Sequence, residues 1–350
     1  MVIPQFVAGG AERVMSILTR HLSQRCEVHL IFHVCHKPFY DVPDTVSLHY
    51  VDTIRPRARL LVKVWRYLAG LMQLRKLLKT IRPDVIVSFH NYRYDHLVVL
   101  AKMFLRIPVV VSDRSNPVRY RGLKRLTRRA VYEAADAIVV QTDFARQYYE
   151  RHFPHKKIAR IANPVSVFPS CVSAREPLIL TIGRLIADKG HAYLIRAFAK
   201  LNLDGWRLVI VGDGPLAREL KELADELGVG EKTIFAGLVT DIGSYLRRAS
   251  IFVLPSLREG FPNALAEAMA SGIPCISFNC NAGPSELIRD GANGFLVEPR
   301  DVDGLTEKIR LLVSDKKLGA ELGAQACKVA ARFSEHRIME QWERLLGSLC

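Results

Sequence analysis

Residues 249–270 read ASIFVLPSLREGFPNALAEAMA. A continuous apolar run, IFVL, is followed by a polar loop and then by a segment rich in Leu, Ala and Met. Apolar runs of this kind are typical of strands buried on both faces of a parallel sheet. The stretch therefore predicts one strand–loop–helix unit of an open α/β sheet. Its loop would lie at the carboxyl end of the strand, where such sheets bind ligands.

The same order repeats along the chain. In the second half, apolar runs predict strands at 177–182, 206–211, 233–236, 251–254, 274–278 and 294–297, with amphipathic helices between them. The first half repeats the pattern at 28–32, 46–51, 85–89, 108–111 and 137–140, and it includes a long basic helix over 57–79. Two alternating halves predict an α/β protein with two doubly wound domains.

The boundary between the halves falls in NPVSVFPSCVSAR (163–175), which has two prolines, three serines and no helical period. We therefore expect an N-terminal domain over 1–164, a linker over 165–175 and a C-terminal domain over 176–330. A final helix over 331–350 is expected to cross back to the N-terminal domain. Few residues precede the glycine turn at 9–10, so the first strand is expected to be short or truncated.

Charge is unevenly distributed over the 350 residues, which carry a formal net charge of +15. Residues 1–165 contain 28 Lys and Arg against 12 Asp and Glu, whereas residues 166–350 contain 22 against 23. A basic half indicates a polyanionic partner, such as nucleic acid, anionic lipid or phosphate, or else a solvated basic surface that aids solubility.

Seven cysteines form no CxxC pair and have no zinc-type spacing, which is typical of a reducing cytoplasm. The sequence shows no signal-peptide pattern and no apolar run long enough to span a bilayer. The nearest candidate, 96–111, is interrupted by Lys102 and Arg106. We therefore expect a cytoplasmic protein without a spanning helix.

Two carboxylates lie in the predicted loop and helix of residues 249–270. Glu259 lies in the loop after the strand, and Glu267 follows eight residues later in the helix. Two acids so placed can hold two polyol parts of one ligand, and backbone N–H groups at a helix N-terminus suit anions or hydroxyls. Taken alone, this spacing favours a helix cap and a surface glutamate.

Three glycine-containing turns take the corresponding place elsewhere. GRLIADKG (183–190) carries Arg184 and Lys189 where a diphosphate would lie against a helix N-terminus. VGDGP (211–215) and GGAER (9–13) allow the backbone to approach a ligand closely. Each turn alone is a weak signal, because solvated cations and tight turns are common at such places.

Taken in order, GGAER, GRLIADKG, VGDGP and EGFPNALAEAMASGIP (259–274) resemble glycosyltransferase family 4, which has the GT-B fold. The resemblance covers essentially the whole chain and is strongest over 178–297. It implies two Rossmann-like doubly wound domains that face each other across a cleft. It also implies a retaining enzyme that transfers a hexose or N-acetylhexosamine from a nucleotide-diphosphate sugar, with UDP favoured over GDP.

The resemblance further implies roles for single residues. Arg184 and Lys189 match the pair that neutralises the donor diphosphate. Glu259 matches the acid that approaches the donor sugar, and Glu267 matches the acid that binds the ribose. With the leaving diphosphate stabilised by Arg184 and Lys189, we expect these cations and Glu259 to be catalytic, and we assign no protein nucleophile. The other donor-binding positions are Gly10, Gly183, Gly212, Leu238, Val239, Gly260, Phe261, Pro262 and Asn263.

The segment SDRSNP (112–117) departs from the family pattern, since many members carry a histidine there. Asp113 is a candidate catalytic residue that would orient the acceptor or a sugar hydroxyl, and Arg114 is a candidate for binding phosphate. Asn116 and His90, which follows the preceding strand, are further acceptor-side candidates, although a histidine at a strand end is more often structural. The same segment resembles the branch that extends polyprenyl-diphosphate-linked saccharides with N-acetylhexosamine.

No metal or other cofactor is expected, because Arg and Lys replace the metal in this fold. Asp301-Val302-Asp303 spells DxD, which binds metal and diphosphate in other glycosyltransferases. Here it opens a helix, so we expect helix capping instead.

The acceptor, a glycan or polyprenyl-diphosphate-linked saccharide, is expected on the basic N-terminal side. Basic and apolar residues are interleaved over 55–79 and 119–129, which suits an anionic membrane surface unless the apolar residues simply pack on the sheet. We therefore predict a cytoplasmic enzyme, peripheral at the inner face of the cytoplasmic membrane, in surface-polysaccharide or glycoconjugate synthesis.

Three alternatives are weighed against this prediction. A GT-B enzyme of another reaction, such as a nucleotide-sugar epimerase, shares the fold, but the paired acids with GRLIADKG favour transfer. A nucleic-acid-binding protein would fit the basic charge, yet no RRM, KH or zinc signature is present, so nucleic acid is not an expected partner. An inactive scaffold is disfavoured because all four charged donor residues are retained.

Overall fold

The computed structural model describes residues 1–4, 9–34, 38–51, 60–89, 92–119, 122–168 and 175–350. They form two compact units, Met1–Asn163 together with Glu335–Cys350, and Pro164–Ser334. We call these the N-terminal unit and the C-terminal unit. Each has its own parallel sheet with helices in the connections, so the prediction of two doubly wound α/β domains is confirmed.

The N-terminal unit contains seven described strands in the order β3-β2-β1-β4-β5-β6-β7. The central strands are buried on both faces, as their Val- and Ile-rich runs predict. The strands are β1 (Val2–Ile3), β2 (His29–Phe32), β3 (Ser47–Tyr50), β4 (Ile86–Phe89), β5 (Val109–Ser112), β6 (Ala137–Val140) and β7 (Lys157–Arg160). The first helices are α1 (Gly10–Leu22), α2 (Leu60–Ile81), α3 (Tyr92–Lys102), α4 (Leu123–Ala134) and α5 (Asp143–His152).

Two strands of this sheet, β1 inside it and β7 at its edge, show where the sequence signal is weak. Strand β1 has only two residues, yet it pairs with both β2 and β4, so the first strand is short as expected. Strand β7 was not predicted from the sequence. Its residues, KIAR, form a partly exposed edge strand and lack the continuous apolar run that marks the inner strands.

The C-terminal unit contains six strands in the order β10-β9-β8-β11-β12-β13. They are β8 (Glu176–Ile182), β9 (Arg207–Val211), β10 (Thr233–Gly237), β11 (Ala249–Leu254), β12 (Cys275–Phe278) and β13 (Phe295–Val297). The helices are α6 (His191–Leu201), α7 (Ala217–Glu226), α8 (Ile242–Arg248), α9 (Asn263–Ala270), α10 (Pro284–Leu287), α11 (Val302–Ser314), α12 (Lys316–Ala326) and α13 (Val329–Arg332). Residues 249–270 thus form β11, a loop and α9, as predicted.

The last helix, α14 (Glu335–Gly347), belongs to the N-terminal unit. Trp342 on α14 is fully buried, and its ring stacks on Phe89 at the end of β4 with 5.5 Å between centroids. Among the described residues, no helix has both the length and the apolar character needed to cross a bilayer.

The DxD sequence lies at the start of α11. The Asp301 carboxylate accepts a hydrogen bond from the Gly304 backbone N–H at 2.8 Å, which is an N-cap contact. The expectation that Asp301 caps a helix is therefore confirmed. Asp303 forms an exposed ion pair with Lys200, 2.6 Å between Nζ and Oδ1.

Candidate functional site

The C-terminal sheet reverses its order between β8 and β11. From β8 the chain continues to β9 and β10 on one side, and from β11 it continues to β12 and β13 on the other. Loops that leave two such neighbouring strands diverge, and open α/β sheets bind ligands between them. Here these are residues 183–190 after β8 and residues 255–262 after β11.

The loop after β8 is fixed against the loop after β11. The Leu257 N–H donates to the Asp188 carbonyl at 2.9 Å. Gly190 has φ +65°, and a Cβ atom there would lie 2.0 Å from the Pro255 carbonyl oxygen. Only glycine fits such a turn, so the backbone itself holds the preceding residue, Lys189, beside the loop after β11.

The turn after β9 packs against the turn after β8. Gly212 has φ +138°, and a Cβ atom there would lie 2.1 Å from the Gly183 carbonyl oxygen. A Cβ atom on Gly214 would lie 2.5 Å from the carbonyl oxygen of Leu185. The predicted donor positions Gly183 and Gly212 are therefore in direct contact, and the close approach of the two turns requires glycine at positions 212 and 214.

Lys189 and Glu259 form an ion pair at the reversal point of the sheet. The Lys189 Nζ atom lies 2.6 Å from Glu259 Oε1, and the two side chains are 21% and 7% exposed. An unpaired carboxylate at this depth would be strongly destabilising, so the ammonium group stabilises it. Two residues that are 70 positions apart in the sequence thus meet in one site.

Arg184 and Glu267 are the other two charged residues predicted for the donor site. Arg184 lies in the same loop as Lys189, and its side chain is exposed. Glu267 is buried in the second turn of α9, the helix that follows the Glu259 loop. The structure thus brings Lys189 and Glu259 into contact and places Arg184 and Glu267 on the segments that follow the same two strands.

The EGFPN segment is held by packing on both sides. Phe261 is buried and meets the edge of the Phe333 ring, 5.6 Å between centroids. Gly283, in the loop after β12, has φ +100°, and a Cβ atom there would lie 2.5 Å from Pro262 Cδ. Asn263 then begins α9, and its N–H donates to the Phe261 carbonyl at 3.0 Å. Gly260 is partly buried between Glu259 and this packed turn.

The predicted donor-binding positions Leu238 and Val239 lie farther along the sheet. They follow β10, which is separated from β8 by β9. The Leu238 side chain is exposed, and Val239 is partly buried. They share the carboxyl edge of the sheet with the ion pair but leave it from a different strand.

His191, which sequence reasoning missed, supports the loop after β8. It is buried at the start of α6, and its Nε2 atom lies 3.3 Å from the Arg184 carbonyl oxygen. Burial, with the nearby charge of Lys189, lowers the pKa of His191 to about 4. The ring is therefore neutral and donates from Nε2 to that carbonyl. The sequence signal would have been a histidine directly after the Lys-Gly turn.

Cys280 is a second residue of this edge that sequence reasoning missed. It is buried in the loop after β12, and its thiol lies close enough to Glu259 to feel its charge. Burial, reinforced by the Glu259 carboxylate, raises the pKa of Cys280 to about 11. The thiol is therefore protonated and acts as a small neutral side chain beside the ion pair.

In the N-terminal unit, the GGAER turn begins α1. A Cβ atom on Gly9 would lie 2.2 Å from Glu12 Oε2, because the Glu12 side chain turns back over the start of the helix. Gly9 has an extended backbone conformation that any residue can adopt. Glycine at this position leaves space for the Glu12 side chain, with which a larger residue would collide. Gly10, the predicted donor position, is exposed at the first residue of α1.

Asp113 is buried at the end of β5, and its carboxylate is fully engaged. It forms an ion pair with Arg128 at 2.7 Å and accepts hydrogen bonds from the Tyr149 hydroxyl and from the Ser115 hydroxyl and N–H. Burial opposes the charge of Arg128, but Asp113, Tyr132 and Tyr148 together more than offset it, so the pKa of Arg128 is raised. The structure therefore assigns Asp113 an internal organising role that the sequence did not indicate.

The remaining acceptor-side candidates differ in how they are used. The Arg114 guanidinium donates to the Asn163 side chain and lies 4.4 Å from the centroid of the Phe89 ring, and burial lowers the pKa of Arg114 to about 9. Its Nε and Nη2 atoms are buried and have no hydrogen-bond partner among the residues that the structure describes. Asn116 accepts from the Val118 N–H at 3.2 Å within its own turn. His90 lies outside the described residues.

Two protein families match the two halves of the chain. The family described as Glycosyltransferase Family 4 matches residues 8–167, and the family described as Glycosyl transferases group 1 matches residues 169–329. The resemblance identified from the sequence motifs is thereby confirmed.

Two relatives at 30% identity or above each match nearly the whole chain. The Campylobacter jejuni GalNAc-α-(1→4)-GalNAc-α-(1→3)-diNAcBac-PP-undecaprenol α-1,4-N-acetyl-D-galactosaminyltransferase is 30% identical over 357 residues, which cover 99% of this chain and 98% of that enzyme. An exopolysaccharide phosphotransferase of Streptomyces coelicolor is 31% identical over 377 residues. That match covers 97% of this chain but spans only 39% of the length of the Streptomyces protein.

Solved structures share the fold at low sequence identity. A sucrose-phosphate synthase of Thermosynechococcus elongatus has a TM-score of 0.84 at 20% identity, covering 99% of this chain and 95% of its own. Anabaena HepE in complex with UDP has a TM-score of 0.82 at 18% identity, covering 99% and 98%. At these sequence identities, structural similarity is evidence for the fold only. It confirms the predicted GT-B fold.

Proposed function

Since the chain belongs to the family 4 glycosyltransferases and carries a group 1 glycosyltransferase domain, we propose that it transfers a hexose or N-acetylhexosamine from a nucleotide-diphosphate sugar with retention of configuration. We propose UDP rather than GDP as the nucleotide. The acceptor is a glycan or polyprenyl-diphosphate-linked saccharide. The UDP bound to HepE and the undecaprenol-linked acceptor named for the Campylobacter relative support these choices.

The observation that carries this proposal is the contact between Lys189 and Glu259 at the reversal point of the sheet. A sugar nucleotide presents an anionic diphosphate beside the hydroxyl groups of a sugar ring. Its binding site therefore needs a cation for the diphosphate next to a group that accepts hydrogen bonds from the sugar hydroxyls. In the structure the two groups neutralise each other. On donor binding, Lys189 would turn to the diphosphate and Glu259 to the sugar hydroxyls.

The proposed mechanism follows from where charge develops. Cleavage between the anomeric carbon and the diphosphate oxygen leaves positive charge on the sugar and negative charge on the leaving group. Arg184, Lys189 and the backbone amides at the start of α9 stabilise the leaving diphosphate. The acceptor hydroxyl attacks from the same face, and its proton passes to a donor phosphate oxygen. We therefore propose no protein nucleophile and no metal ion.

The nucleotide is tested first, by thermal unfolding of the protein with UDP, GDP or ADP. A ligand that binds only the folded state raises the melting temperature with its concentration, and we expect UDP to give the largest rise. A larger rise with GDP would overturn the choice of base. Absence of any shift would count against the donor site itself.

The reaction is tested with a panel of UDP-hexoses and UDP-N-acetylhexosamines and an undecaprenyl-diphosphate-linked saccharide. We expect UDP release coupled to formation of a new glycosidic bond with the anomeric configuration of the donor, read by NMR. A product of opposite configuration would overturn retention. An epimerised nucleotide sugar without transfer would support the epimerase instead.

We also propose that the basic N-terminal unit contacts the anionic membrane that holds a lipid-linked acceptor. Large apolar side chains are exposed on two basic helices, Trp65, Leu68 and Met72 on α2 and Leu123 and Leu126 on α4. Amphipathic basic surfaces of this kind bind at the interface of anionic bilayers. The proposed location is the inner face of the cytoplasmic membrane. Flotation with vesicles at low salt tests this, and failure to bind vesicles that contain anionic lipid would end the proposal.

A further inference from the structure

A cavity of about 670 Å³ opens in the N-terminal unit near the start of β5. It lies where α2 and α3 end, before β4 and β5 begin, so it is at the edge of the sheet opposite to Asp113 and the acceptor-side candidates. We call it the amino-edge pocket. Neither the donor site nor the proposed catalytic steps use it.

The amino-edge pocket is predominantly cationic. Lys79, Arg82 and Arg106 line it, with Asp84 as the one acidic side chain among its lining residues. All three cationic side chains are exposed, and none of them forms an ion pair with a carboxylate in the part of the chain that the structure describes. The three cations outnumber the carboxylates of Asp84 and of the C-terminal residue Cys350, which also line this concave surface, and this excess favours an anionic ligand.

The ends of the two helices do not fully account for these cations. Cations are favoured near helix C-termini because the last carbonyl groups carry partial negative charge. At the end of α3, however, Arg75 already donates to the carbonyls of Ala101 and Met103 at 2.9 and 2.7 Å. At the end of α2, the Arg82 backbone N–H donates to the Leu78 carbonyl at 2.9 Å. The three cationic groups of the pocket are therefore left to interact with a ligand.

An exposed aromatic side chain lies at the mouth of the pocket. Phe104 is 90% exposed, and its neighbour Met103 is also exposed. Phe104 has φ +63° where α3 ends, a conformation that glycine or asparagine adopts with less strain. Neither folding nor helix capping benefits from a phenyl ring at this position. Such a residue is explained when its ring contacts a partner.

We propose that the amino-edge pocket binds the phosphate headgroup of an anionic membrane phospholipid, with Phe104 and Met103 in contact with the acyl region. The cationic side chains of the pocket would attract a phosphate group. The exposed apolar side chains beside them favour a phosphate that carries an acyl chain over free phosphate. This deepens the proposed membrane contact by naming a headgroup site at the C-terminal ends of α2 and α3, which shares only Lys79 with the basic segment over 55–79. It rests on the proposed function only in requiring that the enzyme works at a membrane.

The test is cosedimentation of the full chain with phosphatidylcholine vesicles, with and without phosphatidylglycerol, in the absence of nucleotide. Each basic residue near such a surface contributes about fivefold in binding, so Arg82→Ala/Arg106→Ala should weaken binding by about 25-fold. Lys316→Ala/Lys317→Ala removes the same net charge from exposed residues of α12 and should bind as the wild type does. Equal losses in both double variants would reduce the effect to net charge and overturn the proposal.

Two further variants separate loss of lipid contact from loss of folding, and the amino-edge pocket from the basic segment of α4. Phe104→Asn relieves the strained backbone and should fold at least as well as the wild type, yet it should bind vesicles more weakly. Lys124→Ala/Arg125→Ala on α4 changes the other basic segment. Loss of binding in the α4 variant alone, with Arg82→Ala/Arg106→Ala unaffected, would overturn the headgroup site.

Free phosphate and donor binding are measured separately. If inorganic phosphate stabilises the wild type through Arg82 and Arg106 while vesicles do not bind, the site is for a soluble phosphate and the lipid proposal is overturned. UDP binding, measured on every variant, should stay unchanged, because the pocket lies in the other unit from Lys189. Failure of the glycosyltransferase proposal would instead appear as absent UDP binding in the wild type.

Discussion

Replacing Lys189 with methionine tests the donor site at its best-defined contact. Methionine keeps most of the aliphatic stem and removes the ammonium group that lies 2.6 Å from Glu259 Oε1. The carboxylate then remains at a place where its side chain is only 7% exposed. Removing one partner of a buried pair costs about 3–5 kcal/mol. Since Lys189 is partly exposed, we expect the free energy of unfolding to fall by about 2–3 kcal/mol, at or below the lower end of that range.

The same substitution removes a cation from the proposed diphosphate site. A hydrogen bond to a charged group contributes about 1.5–3 kcal/mol, so the UDP affinity should fall by about 10- to 150-fold. Urea denaturation of the ligand-free protein measures the first effect, and isothermal titration with UDP measures the second. Two independent quantities thus depend on one side chain.

A double-mutant cycle separates the ion pair from general damage to the loop. Glu259→Gln replaces the carboxylate by a neutral amide of similar shape. The double variant Lys189→Met/Glu259→Gln should therefore be more stable than Lys189→Met alone, because no buried charge is left unpaired. Lys200→Met is the matched control, since its partner Asp303 is 83% exposed, and it should change stability by less than about 1 kcal/mol.

The outcome that contradicts this reasoning is specific. If Lys189→Met binds UDP as tightly as Lys200→Met does, the cation does not contact the diphosphate. If the two substitutions at Lys189 and Glu259 have additive effects on stability, the pair seen in the ligand-free structure contributes nothing in solution.

Four further predictions follow from the remaining buried groups. Glu267→Ala should abolish measurable UDP binding while the chain stays folded, and UDP binding at the wild-type level would remove Glu267 from the donor site. His191→Leu should raise KM for the donor through the Arg184 loop with a smaller effect on kcat, and His191→Gln, which can still donate, should restore KM. Asp113→Asn should lower the free energy of unfolding by about 3 kcal/mol because Arg128 loses its buried partner, whereas loss of kcat at unchanged stability would indicate contact with the acceptor. Burial raises the pKa of Asp95 from 3.8 to about 7, so the folded state keeps a proton that the unfolded state releases, and stability should fall by about 4 kcal/mol between pH 4 and 7 in the wild type relative to Asp95→Asn. Parallel pH profiles in urea denaturation would contradict that assignment.

The donor half of the site could be predicted because its signals are local. The loops that carry Arg184, Lys189 and Glu259 each follow an apolar run, and parallel strands bring the ends of such runs to one edge. What the sequence could not provide is the strand order. Only the adjacency of β8 and β11 makes Lys189 and Glu259 partners across 70 positions. Cys280 was missed for the same reason, since β12 lies beside β11.

The acceptor half was harder to predict because its contacts are not local. SDRSNP places Asp113 correctly at the end of a strand, but its partners Arg128 and Tyr149 are 15 and 36 positions away on two different helices. Nothing in the segment itself reveals that the carboxylate is already neutralised and hydrogen-bonded. Strand β7 was missed because an edge strand needs no continuous apolar run.

In the proposed sugar-nucleotide site, the ion pair allows charges of both signs to lie side by side. A lone ammonium or a lone carboxylate in this partly dehydrated place would lose hydration and gain nothing in return. Together, Lys189 and Glu259 satisfy each other, and Gly190 fixes their approach through the backbone rather than through either side chain. In the proposed complex, the donor diphosphate would take the place of Glu259 beside Lys189, and the sugar hydroxyls would take the place of Lys189 beside Glu259. Donor binding therefore requires little net change in charge burial, which favours a site that is already assembled when the donor enters.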